Sequence, residues 1–132
     1  MRYYFTKIVN GGFEVIENKI VALLKNEGFG VLTYIDMQRT LKEKLNVEFK
    51  KYKILGACNP PFALKALEAE DKIGTILPCN IIIQEHELNT IEVSAINPLV
   101  SMQAVNNDRL KKVAQEVSSK LENVINNLED EK

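Results

Sequence analysis

The sequence predicts an α+β protein in which helices cover one face of a mainly antiparallel sheet. Two stripes of apolar residues at helical spacing, in residues 13–24 and 110–128, lie near the two ends of the chain. Between them, short segments alternate apolar and polar residues, as half-buried strands do. A turn signal at Asn89 separates the last two of these segments and predicts an antiparallel hairpin.

Length and composition favour one ordinary globular domain. The 132 residues can form a single domain, 1–132, and we expect the charged end, residues 129–132, to be frayed. Seventeen Lys and Arg against 18 Asp and Glu give a net charge of −1, which provides no field to attract nucleic acid. No apolar run approaches the roughly 20 residues that span a bilayer, so we expect no membrane partner and a cytoplasmic location. In that compartment the two cysteines would remain thiols.

Breaker and capping residues divide the first half of the chain. A strand at residues 2–9 ends at Gly11-Gly12, and a helix from Phe13 ends at Gly28. Residues 29–35 form a second strand with apolar side chains on both faces, and both faces can be covered. A short, peripheral helix follows, capped by Asp36 and closed by Asn46.

The second half begins with a strand at residues 51–58. Asn59 can cap the next helix with Pro60 in its first turn, and Leu64 and Leu67 would face inward. Pro78 marks the entry to a fourth strand, 79–86, which the hairpin joins to a fifth at 90–96. A loop then leads to a final helix capped near residue 107.

Both cysteines lie in the central stretch 55–85. Cys58 comes just before a predicted helix N-terminus, where unpaired N–H groups and the helix dipole could stabilise a reactive thiolate. The simpler interpretation is that Cys58 ends a buried strand and packs as a small hydrophobic residue. Cys79 shares a strand face with Ile81 and Ile83, which also favours inward packing.

The two cysteines would meet at one edge of the sheet if the third and fourth strands are neighbours. The pair would then be a dithiol or part of a soft-metal site, whose further ligands would have to come from Glu85, which shares the strand face of Cys79, or from a second subunit. Zinc or another soft metal remains a weak hypothesis, because structural zinc takes four ligands at close spacings that this sequence lacks. The single histidine, His86, points away from Cys79 in a regular strand, and we expect it to be exposed and without function.

Catalysis is not indicated by the sequence. A cysteine nucleophile needs a base within hydrogen-bond reach, and only Glu85 is available. The sequence contains no phosphate-binding glycine motif and no Gly-x-Ser-x-Gly motif. We therefore name no catalytic residue, although a cysteine-dependent redox or transfer reaction stays open if one thiol is exposed and acidified.

Five segments of the chain resemble the prokaryotic domain of unknown function 302, and together they cover nearly its whole length. They are Gly28-Phe29-Gly30-Val31-Leu32, Ile35-Asp36 with Thr40-Leu41-Lys42-Glu43-Lys44-Leu45, Tyr52-Lys53-Ile54-Leu55-Gly56-Ala57-Cys58-Asn59-Pro60, Leu77-Pro78-Cys79-Asn80 and Ile96-Asn97-Pro98. The departures are Gly11-Gly12 where the first helix usually has a stronger cap, and Asn97 where Asp commonly precedes the proline.

The resemblance implies a fold like that of the TATA-binding protein, which is a strand, a helix, four strands and a helix, with extra short helices and a homodimeric assembly. It implies no activity, because the family has no established one, and a shared fold carries no function by itself. The positions it marks are Cys58, Asn59, Pro60, Pro78, Cys79 and Asn80.

The function predicted from these observations is that of a small dimeric binding or carrier protein. Its pocket would lie where the Cys58 and Cys79 segments meet, with Asn59, Pro60, Asn80 and Glu85 as further candidate ligand-binding residues, and its ligand would be a metal, a thiol or a sulfur species. The alternative is a structural or regulatory homodimeric module without a small-molecule ligand, in which both cysteines are packing residues and the sheet edge or the final helix forms the dimer.

Overall fold

The computed structural model describes residues 1–132. Its strands are β1 (Tyr4–Asn10), β2 (Gly30–Asp36), β3 (Tyr52–Cys58), β4 (Cys79–Glu87) and β5 (Thr90–Ile96). Its helices are α1 (Phe13–Asn26), α2 (Met37–Leu45), α3 (Pro60–Ala69), a 3₁₀ helix (Asp71–Ile76), α4 (Pro98–Ser101) and α5 (Asp108–Asn126). Apart from the short helices, the order is a strand, a helix, four strands and a helix, as expected.

The five strands form one antiparallel sheet, which confirms the predicted α+β class. Their order across the sheet is β1-β5-β4-β3-β2, and the β4–β5 hairpin turns at Asn89, whose φ is 65°. The first strand, β1, pairs with the last, β5. As a result β1 and β2 are the edge strands, and β4 is central.

The long helices α1 and α5 bury their apolar stripes against one face of the sheet. Ile16, Ile20 and Leu24 of α1 and Leu121 of α5 are completely buried in a core of 25 residues. From the sheet, alternate residues of β3, β4 and β5 enter this core, as the two-residue period of a strand requires, whereas the edge strand β1 contributes Val9. None of the helices combines the length and the apolar character needed to cross a bilayer.

Several helix ends form as the sequence predicts. The Asp36 side chain accepts a hydrogen bond from Arg39 N, and Asn46 closes α2 in the left-handed conformation. Asn107 caps α5 by accepting from Leu110 N. Gly28 follows the end of α1 at φ 90°, a conformation that favours glycine.

Residues 129–132 lie outside α5 and contact the end of β1 and the start of α1. Glu131 N donates to Asn10 O at 2.8 Å, and Gly12 N donates to Glu131 Oε1 at 2.8 Å. Gly12 is the N-cap residue of α1, and the Glu131 carboxylate accepts its backbone N–H, as a glutamate at the third helical position does in a capping box. An acidic group is favourable at this end of a helix because of the helix dipole.

Three local expectations are corrected by the structure. The two leucines of α3 are exposed, 59% at Leu64 and 45% at Leu67, because α3 turns the small side chain of Ala66 towards the core instead. The loop after β5 begins with the short helix α4, capped by Asn97. The second strand is not covered on both faces, because β2 is an edge strand and leaves Leu32 66% exposed.

We predict that Gly56→Ala destabilises the protein by about 1 to 3 kcal/mol, because overpacking a closed site has a cost of that order. An added Cβ at Gly56 would overlap Thr33 Oγ1 and lie 2.7 Å from Pro78 Cγ. Urea denaturation measures the change in free energy of unfolding. The matched control is Gly30→Ala, since a Cβ there meets nothing within 4 Å, and its change should stay within about 0.5 kcal/mol. Equal effects of the two substitutions would contradict the proposed packing at Gly56.

Candidate functional site

The two cysteine segments meet, as the sequence predicts for neighbouring third and fourth strands. Strand β3 pairs with β4 so that Ala57 lies directly opposite Cys79, and Cys58 is the next residue along β3. Cys79 is buried on the helix-covered side, and Cys58 is half-buried at the end of its strand. Both are free thiols.

A pocket of about 310 Å³ lies at this end of the sheet, and both cysteines line it. Its volume is at the lower end of the range for small-molecule sites, and 13 of its 17 lining residues are hydrophobic, so its shape and chemistry fit a small apolar ligand. Three groups form most of its walls: Ala57, Cys58 and Cys79 of the sheet, Phe62, Ala63 and Ala66 of α3, and Val113, Ala114 and Val117 of α5.

The pocket exists because small side chains line the two facing helices. Helix α3 packs beside α5, and Ala66 and Ala114 are each buried to 2% exposure. A methyl side chain leaves unfilled volume where a leucine would close the space. Met102 and Pro98 line the same pocket from the segment before α5.

The environments of the two thiols differ. Burial raises the pKa of Cys79 to about 11, and the neighbouring Cys58 contributes to the same shift. Cys79 is therefore a protonated thiol at neutral pH, and the thiolate is the form that acts as a nucleophile or metal ligand. Cys58 is the more accessible of the two.

Asn59 has a structural role that differs from the expected one. It makes no side-chain cap on α3, and its Nδ2 instead donates to Glu27 O at 3.1 Å. It is 7% exposed and packs against Gly28, so it joins the end of α1 to the start of α3 directly after Cys58. The Asn59 side chain therefore acts as a donor to the backbone carbonyl that follows α1, and its Oδ1 does not accept an N–H of α3 as the capping pattern predicts. Pro60 occupies the first turn of α3 as expected and is exposed.

Two of the candidate residues lie elsewhere. Asn80 is exposed on the opposite face of the sheet and lines a different cavity. Glu85 lies near the far end of β4, about 20 Å from Cys79 at the rise of a strand, where its Oε2 accepts from Asn89 N. Pro78, by contrast, lines the cysteine pocket.

The second cavity, of about 480 Å³, is a wide depression on the face of the sheet that α1 and α5 leave open. Its walls include Tyr3, Tyr4 and Tyr52. The Glu92 carboxylate lies there with its pKa lowered by a hydrogen bond from Thr6 and by His86, whose Nε2 is 2.8 Å from Glu92 Oε1. His86 is exposed as expected, and this carboxylate holds it away from both cysteines.

No group of three or more His, Cys, Asp or Glu side chains is arranged to hold a metal ion. Of these four residue types, only Cys58 and Cys79 line the pocket, so their two thiols are the ligands that one chain could give to a soft metal there.

The family model described as "Domain of unknown function DUF302" matches residues 5–128. The chain belongs to the DUF302 family. A crystal structure of an uncharacterized conserved DUF302 protein from Bacillus stearothermophilus has a TM-score of 0.89 and 26% sequence identity, over 97% of this chain and 99% of that one. A search of curated proteins gives no match.

Membership in DUF302 confirms the resemblance inferred from the five segments, and it adds no activity. The motif positions of this DUF302 chain now divide between two sites. Cys58, Asn59, Pro78 and Cys79 line the apolar pocket, whereas Asn80 faces the open side of the sheet.

Sequence reasoning missed the helical walls of the pocket. Phe62 of α3 and Val113 and Val117 of α5 fit the apolar stripes that any core helix carries, so nothing distinguishes them as pocket residues in the sequence. The sequence feature that could have indicated the pocket is alanine at positions 66 and 114, because small residues on the core-facing sides of two helices leave unfilled volume between them.

We predict that replacing the asparagine of each Cys-Asn dipeptide by alanine changes the stability of the protein by different amounts. Asn59→Ala should destabilise the protein by about 1 to 2 kcal/mol, because it removes the bond to Glu27 O within a buried contact. Asn80→Ala is the matched control, since its side chain is exposed, and its effect should stay within about 0.5 kcal/mol. Thermal and urea unfolding measure both changes. A larger loss for Asn80→Ala than for Asn59→Ala would contradict the roles assigned to them.

Proposed function

We propose that this DUF302 protein is a small binding or carrier protein. Its site is the apolar pocket at the junction of β3, β4, α3 and α5, and its ligand is a small, mainly apolar molecule that carries a thiol or another sulfur group. The observation that supports this most directly is that both cysteines line one pocket whose other walls are almost entirely hydrophobic.

The composition of the walls supports the type of ligand. Burial of apolar ligand surface against these walls stabilises the complex by roughly 25 cal/mol for each Å² removed from water. The two thiols are polarisable groups that fit a soft atom such as sulfur better than a charged oxygen. A carboxylate buried in this pocket would have to lose its hydration, which carries a large cost.

Binding is favoured over catalysis by what surrounds the thiols. Glu85 and His86, the groups that could act as a base, both lie outside the pocket. General-base catalysis requires a base within hydrogen-bond reach of the proton it removes, directly or through one water. The pocket therefore supports retention of a ligand.

Phenylmethanethiol, kept reduced with a phosphine, is the probe that tests this proposal. We expect saturable binding with a dissociation constant below about 1 mM, equivalent to about 4 kcal/mol, measured by NMR titration. Ala63→Phe should weaken binding at least about tenfold, because its ring would fill the pocket, which corresponds to about 1.4 kcal/mol.

Ala22→Phe is the matched control for this experiment, since Ala22 is an exposed alanine of α1 outside the pocket. Cys58→Ala and Cys79→Ala should each reduce retention. Unchanged retention in both cysteine variants would remove the sulfur part of the proposal. Equal effects of Ala63→Phe and Ala22→Phe would reject the pocket as the site.

A second candidate function, a homodimeric interaction module, is favoured by the open face of the sheet. Strand registers align Ile35, Ile54 and Ile82 in one row across β2, β3 and β4, on the face opposite the helices. Ile35 is 44% exposed, and exposed apolar patches of this kind mark interaction surfaces. The apolar stripe of α5 is used in the core, so the open sheet face, rather than the final helix, is the surface proposed for a dimer.

Solution mass tests the dimer. Sedimentation at micromolar concentrations should give about twice the mass of one chain, and Ile35→Lys should convert the dimer into monomers, because a charge would be buried in the interface. Leu88→Lys is the control, since Leu88 is 83% exposed in the hairpin turn. A strict monomer at these concentrations would reject the dimeric module.

A further inference from the structure

The two pocket thiols differ in their ability to react with each other and with a ligand. By the register of β3 and β4, Cys79 lies opposite Ala57, so strand alternation directs the Cβ of Cys58 to the other side of the sheet. Both still line the pocket, because it lies at the end of the sheet. Cys58 is partly buried at that end, whereas Cys79 is 8% exposed.

We propose that Cys58 captures small apolar disulfides as a persistent mixed disulfide inside this pocket, while Cys79 stays a thiol. The inference rests on the proposed function, since it uses the same pocket, and it specifies the ligand class and the bond that holds the ligand. The substrate is a low-molecular-weight disulfide with apolar substituents, R–S–S–R.

The reaction is a single thiol–disulfide exchange. Cys58 loses its thiol proton to solvent, and its Sγ attacks one sulfur of R–S–S–R. The S–S bond of the substrate breaks, the Cys58–S–S–R bond forms, and R–S⁻ leaves and takes up a proton. Cys58 is oxidised and the leaving sulfur is reduced, so no further oxidant is required. An external thiol releases R by the same exchange in reverse.

The mixed disulfide persists because Cys79 is a poor resolving thiol. Two cysteines whose Cβ vectors point apart cannot be bridged without backbone movement, and here the strand register separates them. Burial also keeps Cys79 protonated, with a pKa of about 11, so little thiolate is available to displace R. The pair therefore holds a cargo and does not close into a disulfide.

The hydrophobic walls select the substituent. Once Cys58 has reacted, R lies among side chains such as Phe62, Ala66 and Val117 and is removed from water. A substituent with a carboxylate gains none of this stabilisation and must be desolvated.

The test uses 2,2′-dithiodipyridine, an uncharged aromatic disulfide whose released thione is chromophoric, and the native reduced protein. We expect rapid release of one equivalent of thione per chain, one retained thiopyridyl group by intact mass, and its assignment to Cys58 by peptide mapping. Cys58→Ser and Cys58→Ala should each lower the initial rate at least about a hundredfold, because the remaining thiol is buried. Circular dichroism verifies that both variants fold.

Three results would overturn the inference: no rapid release, rapid labelling of Cys79, or a second equivalent of thione released at once with loss of the adduct. The last result would mean that Cys58 and Cys79 close a disulfide.

A charged reagent tests selection of the substituent. 5,5′-Dithiobis(2-nitrobenzoate) undergoes the same exchange but carries a carboxylate on each ring. The rate of each reagent with the native protein is divided by its rate with the urea-unfolded chain. The normalised rate should be at least about tenfold higher for the neutral reagent, because burying the carboxylate of the charged reagent in the pocket has a cost of at least that size. Equal normalised rates would overturn the proposed selection for apolar substituents.

The double variant Cys58→Ser, Cys79→Ser separates this inference from the proposed function. It cannot form the covalent bond, so equilibrium dialysis of 2,2′-dithiodipyridine against it measures pocket binding alone. Binding to this variant without thione release from the native protein rejects the covalent step and leaves the binding function in place. Release from the native protein without any binding to the variant rejects the pocket as a binding site.

Discussion

The pairing of β3 with β4 is the interaction on which the candidate site depends. These strands are separated in sequence by α3 and the 3₁₀ helix, and their register brings the end of one to the start of the other. Gly56 permits this arrangement, because Pro78 and the side chain of Thr33 occupy the space that a Cβ would need. A shift of one residue would turn every side chain of a strand to the other face, so this register also decides which cysteine is buried.

The pocket results from packing between helices as much as from the sheet. Helix α3 carries Ala63 and Ala66 on the side that lines the pocket, and α5 carries Ala114 there. Larger residues at these positions would occupy the space that the pocket now leaves open. The protein keeps a hydrophobic space beside two thiols, which is the feature that favours a ligand over a purely structural role.

The two Cys-Asn dipeptides have similar sequences and different surroundings. In the first, the cysteine is only partly buried and the asparagine is buried in a contact with Glu27. In the second, Cys79 is buried and its asparagine is exposed. The first dipeptide ends a strand and enters a helix, whereas the second begins a central strand, so the same two residue types meet different partners. Chemical differentiation of the two thiols follows from this difference.

The sequence by itself determined the elements, because apolar periodicity and capping chemistry are local. It predicted α1, α5 and the β4–β5 hairpin and the caps at Asp36 and Asn107, and it predicted that the Cys58 and Cys79 segments meet if the third and fourth strands are neighbours, which they are. Only the tertiary structure decided what each side chain meets. It turned Asn59 to a carbonyl of α1, directed Ala66 instead of Leu64 inward, placed Asn80 and Glu85 away from the thiols, and fixed the tail at Gly12. These outcomes depend on contacts between residues distant in sequence, which a local pattern does not encode.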